Sequence, residues 1–284
     1  MVPEHLINEG NIKLPSGIIA ALENTHQPNQ IPILAIHGWL DNAASFIPLM
    51  NELPEYNWTA IDLPGHGNSY HRPPHTHYHF IDWVSDLINI IDVKYGNKPV
   101  VIVGHSLGGM LATVLAGVYP ELVKKLVVID AVGLVTQSEG ATEIRKALDS
   151  RIAQSKKQKT KHISLNVAIK ARANAGKIKS TSAELLVRRN IGETEGGFEW
   201  KTDKRLRTSS PVRLSEQQSI SIIQHIAAPV MLFVAKDGYE MVKSGYKKYK
   251  SYYPNLIKKD VIGAHHCHMD EPIGIALEIK RCIG

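Results

Sequence analysis

The sequence predicts an α/β fold, a mostly parallel, doubly wound sheet flanked by helices and interrupted by one insertion. Short apolar runs recur along the chain, segments with a helical period lie between them, and residues 135–212 break that rhythm. Strand, helix and strand in repetition is the pattern of a sheet covered on both faces.

Ile31 to Ile36, Trp58 to Ile61, Pro99 to Val103, Leu126 to Ile129 and Pro229 to Val234 are each short, rich in β-branched residues and bounded by Gly, Pro or Asp. Runs of this kind without polar alternation fit strands buried on both sides. Lys258 to Ile262 is read as the last strand. Leu6 to Lys13 and Gly17 to Leu22 flank Pro15-Ser16-Gly17, which predicts an antiparallel hairpin at the sheet edge.

Helices are expected between the strands. Phe80 to Ile91 places Phe80, Ile81, Val84, Leu87, Ile88 and Ile91 at a spacing near 3.6. Leu107 to Val118 follows the same logic and stops before Pro120, and Ile273 to Ile279 resembles it. Residues 135–212 are rich in Lys, Arg, Ser and Thr, with helical patches such as Ala183 to Arg189 and no convincing buried strand. They are expected to form a mostly helical cap inserted after the sixth strand, with residues 1–134 and 213–284 as the core domain.

Composition narrows the class. The 284 residues are 43% hydrophobic and 21% charged, ordinary for a soluble globular protein. The net charge of +6 permits attraction to anions without demanding it, and no aromatic-interleaved basic motif suggests nucleic acid. Two cysteines are too few for a disulfide scaffold and are read as free thiols. Residues 1–10 lack a signal-peptide pattern, and no apolar run reaches the roughly 20 residues of a membrane span. A cytoplasmic protein is expected, acting on a small molecule.

The chemistry centres on Val100-Val101-Ile102-Val103-Gly104-His105-Ser106-Leu107-Gly108-Gly109. A buried strand runs into Gly-x-Ser-x-Gly and a helix follows, so the serine sits on a sharp strand-to-helix turn. Ser106 is the expected nucleophile. The helix N-terminus behind it favours developing negative charge.

Four motifs carry a family resemblance: His37-Gly38-Trp39-Leu40-Asp41-Asn42, Asp62-Leu63-Pro64-Gly65-His66-Gly67-Asn68-Ser69, the serine turn itself, and Gly263-Ala264-His265-His266-Cys267-His268-Met269. In this order they make the chain similar to the α/β-hydrolase superfamily, in particular its serine hydrolase-like (kraken-type) branch. The resemblance runs from about Ile31 to the end and implies an eight-stranded sheet. The family includes members without catalysis, so fold alone does not decide activity.

An oxyanion needs two backbone N–H donors. One is expected from Leu107, the residue after the nucleophile. The resemblance implies Trp39 as the other. Asp41 and Asn42 are expected to fix that loop or cap the next helix. Among the 14 histidines, the family pattern Gly-x-His-x-x-His assigns His265 as the base, with His266 and His268 packing the loop.

The acid should follow a strand end. Asp237, in Ala235-Lys236-Asp237-Gly238, is the first choice, to hold the His265 N–H and its tautomer. Asp130, which ends the strand before the cap, is the alternative, since some relatives place the acid there. Glu240 is expected to begin the next helix instead.

His71, His75, His77 and His79 crowd one loop, but no cysteine or carboxylate completes a metal set there. The run His265 to His268 is likewise explained by a triad rather than by an ion. No metal and no cofactor are expected. The chain is therefore read as a serine esterase of the carboxylesterase type, using a Ser-His-Asp triad and an acyl-enzyme. Thioester, lactone or carbon–carbon hydrolysis would use the same machinery, and a non-catalytic receptor on the same fold is the competing class.

Overall fold

The structure, a computed structural model, describes residues 7–24, 30–136, 140–158 and 160–283. Leu6, the first residue of the expected hairpin, lies outside them, as do residues 1–5 of the N-terminal segment.

Eight strands form one sheet: β1 (Ile7–Leu14), β2 (Gly17–Asn24), β3 (Pro32–Ile36), β4 (Asn57–Ile61), β5 (Val100–His105), β6 (Val123–Ile129), and then β10 (Val230–Asp237) and β11 (Leu256–Ala264), numbered after three short strands in the insertion. Their order is β1-β2-β4-β3-β5-β6-β10-β11. β1 and β2 form the expected edge hairpin, β2 joins β4 antiparallel, and the remaining neighbours are parallel.

The buried apolar runs follow from helices on both faces. One face carries α2 (Phe80–Tyr95), α3 (Leu107–Val118), α7 (Glu216–Gln224) and α8 (Glu240–Tyr249). The other carries α1 (Ile47–Glu52) and α10 (Pro272–Ile283). Successive β5 residues divide between the two cores: Val100 and Ile102 enter the first, Val101 and Val103 the second. With period-two side chains, only a strand sandwiched on both sides is apolar throughout. No described helix is long and apolar enough to cross a membrane.

The chain passes from β3 outward to β4, then returns to β5 on the other side of β3. Strand order reverses there, which opens a crevice at the carboxyl ends of β3 and β5. The His37 loop and Ser106 follow those two ends.

Between β6 and β10 lie α4 (Gly140–Ser155), β7 (Lys161–His162), α5 (Leu165–Gly176), α6 (Ser180–Asn190), β8 (Ile191–Thr194), β9 (Gly197–Trp200) and a 3-10 turn, Lys204–Arg207. Besides these helices the insertion carries strands that the sequence did not suggest. β7, β9 and β8 form a small antiparallel sheet. Strands of two to four residues are too short to show a period in sequence.

This insertion is seated on the core by specific contacts. Met269, from the short helix α9 (Cys267–Asp270), packs with Ile178, Ala183 and Leu186. Arg189 donates from Nε to both oxygens of buried Asp62 at 3.0 Å. The Asp62 carboxylate also accepts the N–H groups of Ala43 and Asn68. The Asp62 to Ser69 motif is thus a polar joint between the loop after β4, the helical turn Ala43–Phe46 that follows β3, and the insertion.

Candidate active site

Ser106 stands between β5 and α3 with φ 50° and ψ −117°. A non-glycine residue rarely holds positive φ, and the strain is borne by close backbone packing around it. A Cβ on Gly108 would lie 2.0 Å from the Ile36 carbonyl oxygen, and one on Gly104 2.6 Å from the Gly108 oxygen. Both positions require glycine for the turn to close. Ser106 N–H donates to the Ile129 carbonyl at 3.0 Å, tying the turn to β6.

His265 follows β11, and its Nε2 lies 2.9 Å from Ser106 Oγ. Its Nδ1 lies 2.6 Å from Asp130 Oδ2. An Nδ1–H donated to the carboxylate leaves the Nε2 lone pair for the serine hydroxyl. The other Asp130 oxygen accepts the Ala235 N–H at 3.0 Å, and Asp130 N–H donates to the Phe233 carbonyl at 2.8 Å. Positive φ at Asp130, 46°, turns its side chain across the sheet toward β10 and His265.

The choice of Asp237 as the carboxylate beside His265 is therefore corrected to Asp130. β10 runs further than the sequence suggested, to Asp237, and its register against β11 shifts between Ala235 and Asp237. The Asp237 side chain is exposed. The following residue matters instead: a Cβ on Gly238 would lie 2.6 Å from Asp130 Oδ2. The Asp-Gly pair marks the place where a bare backbone passes beneath the carboxylate. Glu240 begins α8, as expected.

His105, between the two residues that define the turn, was not singled out by sequence. Its Nε2–H donates to the His265 carbonyl at 2.9 Å and so holds the His265 backbone. Burial, aided by the rings of His268, His265 and His266, holds its pKa well below the usual imidazole value despite nearby Asp41. It is a neutral positioning ring. His268 Nε2 meets Ser45 Oγ at 2.6 Å, and burial pushes its pKa well down too. The Tyr239 ring leans on His265, with centroids 4.3 Å apart.

Leu107 is the first residue of α3, so its N–H has no carbonyl within its own helix. Trp39 follows Gly38 in the loop after β3 and lines the same cavity as Ser106. Its indole N–H donates to the Leu206 carbonyl at 2.9 Å, joining this loop to the insertion. Asn42 caps the next 3-10 turn by accepting the Ala44 N–H, and Leu40 holds the loop at φ 64°.

Asp41 has a larger role than a loop anchor. Its oxygens meet Arg172 Nη2 at 2.5 Å and His266 Nε2 at 3.1 Å. Burial would raise its pKa, yet His266, Arg172 and His105 hold it well below the carboxylate range. Asp41, His105 and His266 bring ligand-type atoms within 4.8 Å of one another. Arg172 already balances the charge there. The loop histidines take another course: His71 Nδ1 lies 3.5 Å from Asp203 Oδ2.

The cavity above Ser106 is about 350 Å³. Core residues Trp39, Tyr239 and His265 form part of its wall; Arg172, Leu186, Asn190, Trp200, Thr202 and Arg207 come from the insertion. No sequence period marks these six.

Residues 31–272 match the family model described as the alpha/beta hydrolase fold. A probable serine hydrolase from Drosophila melanogaster is 31% identical, over 96% of this chain and 86% of its own. A serine hydrolase-like protein from Danio rerio is 29% identical, over 86% of this chain and 79% of its own. The crystal structure of a hypothetical protein from Pseudomonas aeruginosa PAO1 superposes with a TM-score of 0.88 at 32% identity, covering 96% of both chains. A matched family model over most of the chain, a strained serine on the β5–α3 turn and relatives of this kind agree: the chain belongs to the α/β hydrolase family, in its serine hydrolase-like branch.

Proposed function

We propose that this protein is a serine hydrolase that cleaves a carboxylic ester or a related acyl bond through Ser106, His265 and Asp130. The observation that carries this reading is the continuous relay of contacts, Ser106 Oγ to His265 Nε2 at 2.9 Å and His265 Nδ1 to Asp130 Oδ2 at 2.6 Å.

His265 takes the Ser106 proton as Oγ attacks the carbonyl carbon. Asp130 holds the imidazole tautomer and stabilises the imidazolium. The N–H groups of Leu107 and Trp39 receive the oxyanion, helped by the N-terminal dipole of α3. His265 then protonates the leaving group. Water enters, gives a proton to His265 and attacks the acyl carbon; the bond to Oγ then breaks, and His265 returns that proton to Ser106 Oγ as the acid leaves. The insertion, residues 135–212, acts as a cap that shapes the acyl and alcohol sites without taking part in proton transfer. The eight residues it contributes to the cavity wall support that division.

The test is turnover of short- and long-chain aryl esters by the wild type and by Ser106→Ala. Wild-type turnover that falls about 10⁶-fold in the variant, as expected for a triad acting as a unit, supports the proposal. Equal turnover by both proteins, or none by the wild type, contradicts it.

A further inference from the structure

We propose that the cavity selects esters carrying an anionic group, a carboxylate being the simplest, and that Arg207 is the residue that receives it. The inference rests on Ser106 being the acylated residue, and deepens that reading to a substrate class.

Charge is the first ground. Asp41 is the one acidic side chain among the described residues of the cavity wall, and its two oxygens are engaged by Arg172 and His266. Arg207 lines the same cavity, is exposed, and makes no ion pair or hydrogen bond with any described residue. One cation in the wall is thus left without a counter-charge. A guanidinium offers a planar fork matched to carboxylate geometry.

The second ground is that Arg207 stands on a fixed turn. Asp203 accepts the Arg205 N–H at 2.9 Å, and the Trp39 indole N–H binds the Leu206 carbonyl at 2.9 Å. Arg205 reaches the carbonyls of Pro73 and Thr76 at 2.7 and 2.9 Å. The residue next to Arg207 is therefore tied directly to the loop expected to hold the oxyanion. A long side chain on such a base loses less freedom on binding than one on a loose loop.

Asn190 gives the third ground. Its Oδ1 accepts both the Thr202 N–H at 3.1 Å and the Thr202 hydroxyl at 2.8 Å. A backbone N–H donor settles which amide atom is oxygen. The Asn190 NH₂ is left as a donor in the cavity wall, with no partner among the described residues. The wall thus offers unpartnered donors at Asn190 and Arg207, while Trp39, Leu186 and Trp200 supply apolar surface for the connecting carbons.

Two isosteric pairs test the class without presuming which side of the ester bears the charge. Monoethyl glutarate against ethyl glutaramate places the carboxylate in the acyl part; 4-acetoxybutyrate against 4-acetoxybutyramide places it in the alcohol part. Binding is measured by calorimetry on full-length Ser106→Ala, and kcat/KM on the wild type. In at least one pair the anion should bind about tenfold or more tightly than its amide, the size of one charge-assisted hydrogen bond. Adding Arg207→Gln should remove most of that ratio, and rising salt should erode it. Amides binding as well as anions in both pairs, or a preference unmoved by Arg207→Gln, would overturn the inference. A preference in binding with no ester turned over by the wild type would support the anion site and sink the hydrolase proposal. Turnover without preference would do the reverse.

Discussion

Asp130 Oδ2 lies 2.6 Å from His265 Nδ1, although the two stand 135 positions apart in sequence. Asp130 follows the end of β6 and reaches past β10 to meet a residue that follows β11. Asp130→Asn should therefore lower kcat steeply, by about 10⁴-fold, because an amide favours the wrong imidazole tautomer. Asp237→Asn, on an exposed side chain, should change kcat by less than about threefold, as surface substitutions do. Steady-state kinetics on one aryl ester checks both. A larger loss at Asp237 would restore the assignment made from sequence.

Gly238 gives an independent test of the same carboxylate. A Cβ there would come within 2.6 Å of Asp130 Oδ2 and 2.7 Å of Oδ1. The carboxylate must shift to admit it, and a displacement near 1 Å can cost about 10²-fold in rate. Gly238→Ala should lower kcat by roughly that factor, with a near-native circular dichroism spectrum. Unchanged kcat would mean that Asp130 does not need its observed position.

Stability should fall with acid well before ordinary carboxylates titrate. Burial pushes the His66 imidazole down from 6.5 to about 3, and His37, His105 and His268 are shifted the same way by burial. Below the unfolded value of 6.5 the unfolded chain binds protons that the folded chain refuses. This contribution is complete above that pH and is lost as pH drops toward the folded value, at up to about 1.4 kcal/mol per pH unit for each such ring. Thermal unfolding followed from about pH 7 to about pH 4.5 should show a steadily falling Tm. A flat Tm across that interval would contradict neutral burial of these rings.

Cys267 should be inert in the folded protein. Burial, together with the nearby Asp130 carboxylate, pushes its thiol up to about 12. The thiolate is the reactive form, and almost none is present near neutrality. Alkylation at about pH 8 should spare Cys267 in the native state and label both cysteines in denaturant. Rapid native labelling at Cys267, located by peptide mass spectrometry, would refute its burial.

Much of this was legible in the chain. The buried strands announced themselves as unbroken apolar runs, because a strand covered on both faces has no polar side to alternate. The Ser106 turn was legible because Gly104 and Gly108 mark the points where backbones nearly touch. His265 was assigned by its place in a motif. The carboxylate beside His265 was misplaced because Asp130 and Asp237 both stand near strand ends, and choosing between them depends on the positive φ at Asp130 and the register shift in β10. Neither leaves a mark on composition. The short strands β7, β8 and β9 were missed for lack of length. Arg172, Asn190 and Arg207 reach the cavity through the folding of the insertion, and their spacing along the chain says nothing about that convergence.

The central claim is that Ser106 is a nucleophile activated by His265. Intact-mass spectrometry after treatment with a fluorophosphonate tests it most directly, since only an activated serine forms the phosphonyl adduct readily. The wild type should gain one adduct, mapped by peptide sequencing to Ser106, and His265→Gln should label far more slowly. No adduct on the wild type, or an adduct on a different serine, would contradict the claim.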